Sequence, residues 1–238
     1  MVPSPQIKVI FFDAAGTLFR VKGSVGELYL RYAGPYGVTT SPEMVSRVNQ
    51  AFSEAFRQAT PPIFAVEQPE KLKQCERLWW FDIVHAVFYR VGMFEGFDEY
   101  FDIVFEAFSH GDAWEVYEEV PEVLGELKQK GIELGVISNF DTRFFKILRD
   151  LNLHQYFDTI TISSLAQSVK PNVKIFEYAL NQHMVDPEES LHVGDSLKED
   201  VQGATNAGIT GIYLNRDGDG EEHPGQQIRN LKEIYKFL

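Results

Sequence analysis

The chain runs to 238 residues, with 22 Lys and Arg against 35 Asp and Glu, a formal net charge of −13 at pH 7. Its 44% hydrophobic and 24% charged residues are ordinary globular proportions and exclude disorder as the main state. The negative excess argues against nucleic acid or an anionic membrane as partner, because such binding depends on Lys and Arg displacing counterions; a local basic pocket for a small anion stays open.

Taken in chain order, Ile7 to Phe12 (I-K-V-I-F-F) is apolar and β-branched almost throughout and stops at Asp13, before Ala-Ala-Gly-Thr. That pattern predicts a strand buried on both faces, as in a parallel sheet. From about residue 20 to 113 the periodicity turns helical, with no convincing strand. Ser24 to Glu27 reads as a capping box before Leu28 and Tyr32, and Ser41-Pro42 opens a helix with Met44, Val48, Phe52 and Phe56 at i+4 steps. A third helix is predicted from Pro69 to Gly92, with Leu72, Cys75, Trp79, Ile83 and Ala86 along one face, and Asp98 is expected to cap a fourth carrying Phe101, Phe105 and Phe108. Four such helices make a small bundle, with Trp79-Trp80, the Phe stripe and Cys75 in its core.

Beyond it, four short apolar runs, Ile132 to Ser138, Thr159 to Ile162, Leu191 to Gly194 and Ile209 to Leu214, alternate with helical patterns. Pro121 opens one of those helices and Gly131 closes it, Pro171 opens another, and Gly208 ends one that begins near Lys198. Alternation of this kind means βαβ units and an open, doubly wound parallel α/β sheet. Asp217 to Glu222 reads as an acidic loop before a last helix. The division expected is a core domain of residues 1–19 and 114–238 and a helical domain of residues 20–113. The single cysteine, the lack of a leader pattern in Met1 to Asp13 and the lack of an apolar run near the roughly 18 residues of a membrane helix lead to the expectation of a cytoplasmic protein without a membrane partner, monomer or homodimer.

Ligands of open parallel sheets bind beyond the carboxyl ends of the strands, so the residues that end each strand belong together. They are Asp13, Ser138-Asn139 and Gly194-Asp195, with Asp200 following, and with them goes Lys170-Pro171, which precedes the helix after the third strand. Asp13, backed by a turn containing Gly16, is placed to attack phosphorus or an activated carbon and form a covalent ester. Asp13 and Asp195 would repel each other without a hard cation, and carboxylates with backbone oxygen and water suit Mg²⁺. Ser138 and the Asn139 N–H are hydrogen-bond donors for phosphoryl oxygens, and Lys170 supplies positive charge for an anionic transition state.

F-F-D-A-A-G-T-L at Phe11 to Leu18, V-I-S-N at Val136 to Asn139, Lys170-Pro171, and H-V-G-D-S-L-K-E-D at His192 to Asp200 resemble, in order, the four motifs of the haloacid dehalogenase-like (HAD) hydrolase superfamily. S-N-F-D-T-R at Ser138 to Arg143, Trp79-Trp80 and S-V-G-E-L-Y at Ser24 to Tyr29 are similar to one branch of it. The resemblance implies a Rossmann-like core with an inserted four-helix C1 cap, and Mg²⁺-dependent hydrolysis of a small phosphorylated metabolite. It implies that Asp13 is nucleophile and metal ligand, that Ala15 ligates through its carbonyl, and that Asp195 completes the protein ligands with Asp200 behind it. It likewise makes Ser138, Asn139 and Lys170 the phosphate-binding set, Lys170 bridging phosphate and nucleophile, and Thr17 a support of the first loop.

One position departs from that pattern. Family phosphatases carry a second Asp two residues after the nucleophile, which protonates the leaving oxygen, and here Ala15 stands there. Loss of a positioned acid is worth about 10² to 10⁴ in rate. The alternatives are a substrate with a good leaving group, an acid from the cap, a non-catalytic phosphometabolite binder, or phosphonatase- or dehalogenase-type hydrolysis. A phosphonatase needs a cap lysine, of which Lys22, Lys71 and Lys73 are available; a dehalogenase usually has Ser at the Asp195 position and Tyr at the Phe176 position. His85, His110 and His192 read as structural, and Glu27 and Tyr29 remain candidates to face the site.

Overall fold

The computed structural model describes residues 6–218 and 225–238, so residues 1–5 and, of the acidic loop, residues 219–222 lie outside the described residues. The strands are β1 (Val9–Phe12), β2 (Phe19–Val21), β3 (Trp114–Val116), β4 (Glu133–Ser138), β5 (Thr159–Ile162), β6 (Ser190–Gly194), β7 (Thr210–Leu214) and β8 (Gln227–Ile228). The helices are α1 (Val25–Ala33), α2 (Pro42–Gln58), α3 (Pro69–Val91), α4 (Phe97–Ala107), α5 (Val120–Gln129), α6 (Phe144–Asp150), α7 (Ser163–Ala166), α8 (Val173–His183) and α9 (Gly203–Asn206).

Every residue of β1 is buried, as its unbroken apolar run requires. It lies inside a six-stranded sheet of order β5-β4-β1-β6-β7-β8 in which all pairings are parallel. Phe11 sits opposite Gly135 on one side and His192 on the other. The chain winds outward from β1 through β4 to β5, and then, from β6 on, in the opposite direction. A crevice therefore opens at the carboxyl ends of β1, β4 and β6, where crossover connections leave on opposite sides. Below it Phe11, Ile137, Ile175, Phe176 and Leu180 form a packed core, in which each large side chain contributes about 1.5–3 kcal/mol by leaving water.

The chain separates into a sheet unit (Met1–Arg20, Val116–Asp141, Asn152–Leu238) and a helical unit (Val21–Glu115, Thr142–Leu151). In the helical unit α1 to α4 bury Tyr29, Leu30, Val48, Ile83, Phe88, Tyr100 and Phe101 against one another. Ser24 accepts from the Glu27 N–H and Ser41 from the Met44 N–H, each closing the first turn of its helix as predicted.

Several sequence expectations change. Residues 142–151 pack with the helices rather than with the sheet: buried Glu76 accepts from both the N–H and the hydroxyl of Thr142, and the Arg143 guanidinium stacks 4.0 Å from the Phe105 ring centroid. Asp98 is not the cap of α4; left-handed Gly96 (φ 78°) holds that place and Asp98 lies in the first turn, where its charge meets the free amides. Asn172, not Pro171, caps α8. The helix near Lys198 begins as a wide π turn at Leu197–Gln202 before α9. Cys75 is half-buried, because the buried line of α3 runs through Leu72, Glu76, Ile83 and Val87 instead. The last helix is a 3-10 helix, Leu231–Phe237. Strands β2 and β3, paired with each other at the ends of the helical stretch, and the two-residue edge strand β8 were not foreseen, since so few residues carry no readable period.

Candidate active site

Asp13, Ser138, Asn139 and Asp195 sit where strands end, whereas Lys170 lies eight residues beyond β5 and Asp200 in the π turn after β6. Asp13 follows β1, and its N–H still donates to the Val193 carbonyl at 2.8 Å, so the neighbouring strand fixes its backbone. Ser138 is the last residue of β4 and Asp195 the first after β6. Lys170 lies ahead of α8, its ammonium reaching 2.6 Å to Asp13 Oδ1 and 2.6 Å to Asp200 Oδ1. Its own backbone is clamped by one side chain: Asn139 Oδ1 accepts the Lys170 N–H at 2.7 Å while Asn139 Nδ2 donates to the Lys170 carbonyl at 3.1 Å. The Ser138 hydroxyl points at Asp13 Oδ1 across 3.4 Å.

The loop after Asp13 is wound tightly around one carbonyl. Ala14 O accepts the N–H groups of Thr17 and Leu18 at 3.1 and 2.7 Å, and the Gly16 N–H donates to Phe19 O at 2.8 Å. Gly16 is required there, since φ is +90° and a Cβ would stand 2.1 Å from Asp195 Oδ2. Gly194 is held by the same logic, a Cβ there falling 2.1 Å from the Asp200 carboxyl carbon. Thr17 is fully buried, and Ala15 is exposed.

Asp13, Asp195 and Asp200 bring carboxylate oxygens within 4.8 Å of one another. Desolvation pushes Asp13 above the usual carboxylate range, with Lys170 opposing it and the Asp200 charge adding to it. Desolvation and the charges of Asp13 and Asp200 push Asp195 up to about 7, although its side chain is open to solvent, which screens part of that effect. Asp200 goes the other way: burial opposes its charge, but Lys170 and His192 outweigh it and hold the carboxyl well below its ordinary value. For Lys170, too, the two carboxylates overcome desolvation and keep the ammonium charged.

Both oxygens of Asp200 are engaged, Oδ1 by Lys170 and by His192 Nε2 at 2.9 Å, Oδ2 by the Ser196 N–H at 3.0 Å. Asp200 thus positions Lys170, whereas Asp13 and Asp195 are the carboxylates best placed to hold a cation. An all-oxygen set of this kind is the chemistry of a hard divalent ion such as Mg²⁺ rather than of a thiophilic metal.

Sequence reasoning missed two participants, Glu199 and Arg216, and read a third, His192, as structural. Glu199 accepts from Asn139 Nδ2 at 3.2 Å, and desolvation raises its carboxyl, although the residue is exposed to solvent that screens part of that effect; it stands within the fourth motif, one place before Asp200. His192, whose ring burial keeps neutral, donates to Asp200. Arg216 reaches Thr17 O, and no motif announced it. Of the other candidates, Tyr29 is buried in the helical unit and Glu27 is exposed. His85 stacks between Phe81 and Tyr89, and His110 pairs with Glu106 and Lys146, both on the exposed surface of that unit.

The HAD-like hydrolase family model matches residues 7–208. The human haloacid dehalogenase-like hydrolase domain-containing protein 3 is 31% identical over 208 residues, 86% of this chain and 80% of that protein. The glyceraldehyde 3-phosphate phosphatase of Methanothermobacter thermautotrophicus is 44% identical over 94 residues, 39% of this chain and 41% of that one. The solved structure of the Bacillus subtilis HAD-hydrolase YfnB, bound to magnesium, superposes with a TM-score of 0.76 at 19% identity and covers 98% of this chain and 99% of its own.

Proposed function

The chain belongs to the haloacid dehalogenase-like hydrolase family, and on that premise we propose that it is an Mg²⁺-dependent phosphohydrolase that cleaves a small phosphorylated metabolite through an aspartyl-phosphate on Asp13. The observation that carries this reading is the buried Lys170 ammonium, 2.6 Å from both Asp13 and Asp200, beside the Asp195 carboxylate. Asp13 and Asp195, with the Ala15 carbonyl, would hold Mg²⁺, which when bound offsets their mutual repulsion and polarises the phosphoryl group.

In the first step an Asp13 carboxylate oxygen attacks phosphorus, a new P–O bond forms, and the bond to the leaving oxygen breaks. Lys170 keeps that carboxylate oriented and offsets the charge that spreads over the phosphoryl oxygens, to which the Ser138 hydroxyl and the Asn139 N–H donate. Asp200, itself fixed by His192 and Ser196, keeps Lys170 charged and in place. Water then cleaves the phosphoaspartate, returns the Asp13 carboxylate and releases phosphate. The helical stretch, residues 20–113, serves as the cap that selects the substrate, a small soluble one. No helix of the described residues is long and apolar enough to cross a membrane, which is compatible with a cytoplasmic role.

The position of Ala15 supports a second reading. Its exposed methyl group can transfer no proton to a leaving oxygen, and a pocket with the same charges but without that acid binds a phosphometabolite and does not turn it over. The lysine-dependent alternative has less support: Lys22, Lys71 and Lys73 are exposed, while a Schiff-base lysine needs a dry pocket. Dehalogenase chemistry has less support too, since Asp195 is a charge that such a site does without, and Phe176 is buried edge-on against His192 at 5.2 Å rather than lining an opening.

Hydrolysis of p-nitrophenyl phosphate and acetyl phosphate, with and without Mg²⁺ and with Asp13→Asn as the blank, separates the readings. Neither substrate needs the missing acid to leave. Mg²⁺-dependent turnover that disappears in the blank is the expected result; turnover equal to the blank, alongside saturable Mg²⁺ and phosphate binding, would move the conclusion to the binding protein.

A further inference from the structure

We infer that Arg216 is a positioning residue for the reaction, an external brace that sets the place of the Asp13–Leu18 loop relative to the strand ends. This rests on the phosphohydrolase reading for its kinetic consequence but not for its structural one. The loop has two kinds of support. Inside, its own N–H groups converge on the Ala14 carbonyl, and Gly16 leaves no room for a Cβ beside the Asp195 carboxylate. These contacts fix the shape of the turn, and its two ends are tied down by the Asp13 N–H on Val193 O and the Tyr117 N–H on Leu18 O. Between those ends the loop is held to the sheet edge at the Thr17 carbonyl, which accepts from Arg216 Nη2 at 2.7 Å.

Arg216 suits the task because both its Nη groups and one face of its guanidinium are held, although its buried Nε has no hydrogen-bond partner among the described residues. It comes two residues after β7, at the same edge of the sheet as Asp13, and the preceding Asn215 N–H is pinned to Ile228 O at 2.9 Å. Its Nη1 donates to Glu119 Oε1 at 2.6 Å, and its guanidinium lies 3.6 Å from the centroid of the Tyr117 ring. The backbone of Tyr117 in turn donates to Leu18 O at 3.2 Å, so the end of the loop is fastened to the ring under the guanidinium. Only a planar, forked cation satisfies a carboxylate, a carbonyl and an aromatic face together; a lysine has a single point of charge. The Arg216 and Glu119 side chains are 13% and 9% exposed, so the pair is dry enough to be rigid. Because Glu119 neutralises Arg216, the residue acts through position rather than through its field. A misplacement of the nucleophile by even about 1 Å is worth on the order of 100-fold in rate.

The test compares wild type with Arg216→Ala, Arg216→Lys and Glu119→Gln. Hydrogen exchange of the Thr17 and Leu18 amides is read in the metal-free protein, Mg²⁺ binding by calorimetry, and kcat and KM on p-nitrophenyl phosphate. In Arg216→Ala the two amides should exchange about 10-fold faster or more while β1 and β4 amides stay protected, Mg²⁺ should bind more weakly, and kcat should fall about 10- to 100-fold with KM little changed. Arg216→Lys should fall between. Glu119→Gln, which keeps the side-chain volume, should shift all readouts the same way by less, and stands in if Arg216→Ala does not fold. Loop amides and Mg²⁺ binding equal to wild type, or a loss of protection spread evenly over the sheet, would overturn the inference. A wild type that turns over no phosphate ester defeats the proposed function alone, because the exchange result still decides the role of Arg216.

Discussion

The two units bury different chemistry. In the helical unit the core is a lattice of rings: Tyr100 lies 5.1 Å from both Phe88 and Phe94, Tyr29 sits 5.8 Å from Phe108, and the Tyr100 hydroxyl donates to Tyr29 O. Among the described residues the one buried charged side chain there is Glu76. The sheet unit buries Asp13, Glu119, Asp141, Lys170 and Asp200. Burying charge is costly unless it is paired, and a cluster of buried charge is the kind of place where functional sites are found. Aromatic packing, by contrast, is worth about 0.5–1.5 kcal/mol per pair beyond burial and carries no chemistry. On the proposed function, the difference puts the reacting charges in the sheet unit and the aromatic packing in the helical one.

The largest effect expected from breaking this contrast is at Lys170. Lys170→Met leaves Asp13 and Asp200 buried without their cation and should cost about 3–5 kcal/mol in denaturant unfolding, with turnover lost; a stable, active variant would mean that the carboxylates find other partners. In the helical unit Phe88→Ala should cost about as much, 3–5 kcal/mol, through the cavity it leaves. Its Mg²⁺ binding isotherm should stay that of wild type, and a changed isotherm would end the division of labour argued above.

Ala15→Asp sharpens the comparison by adding a charge instead of removing one. Ala15 is exposed and has room for a carboxyl. If the missing acid is what limits the rate, turnover of a phosphate ester with a poor leaving group should rise by about 10- to 100-fold. An unchanged rate would favour the binding protein.

The smallest effect expected is in pH dependence. Asp195 is pushed up to about 7 from an ordinary 3.8. Between those values the folded, metal-free protein holds a proton that the unfolded chain has lost, so this group's contribution to stability falls as pH rises through that window and is least favourable above it. On the proposed function Mg²⁺ would bind the ionised carboxylate and reverse the penalty. The rise in melting temperature on adding Mg²⁺ should therefore be larger at pH 8 than at pH 5.5, and an equal rise would remove Asp195 from the cation site.

Five of the six strands of the central sheet and all but one of the helix starts of the insert were legible in the sequence because long apolar runs and Ser-Pro or Ser-x-x-Glu caps are local signals. So was the set Asp13, Ser138, Asn139, Lys170 and Asp195, since each ends or follows a strand of recognisable pattern. Pairings and partners had no such signal. That Lys170 binds Asp200 as well as Asp13, that His192 orients Asp200, that Arg216 holds Thr17, and that Thr142 joins the helices through Glu76 are contacts between residues 8 to 199 positions apart. The sequence alone determined which residues carry charge and where strands end, because both are properties of short stretches of chain. The tertiary structure decided which charges neutralise one another, because that depends on distances set by the sheet order.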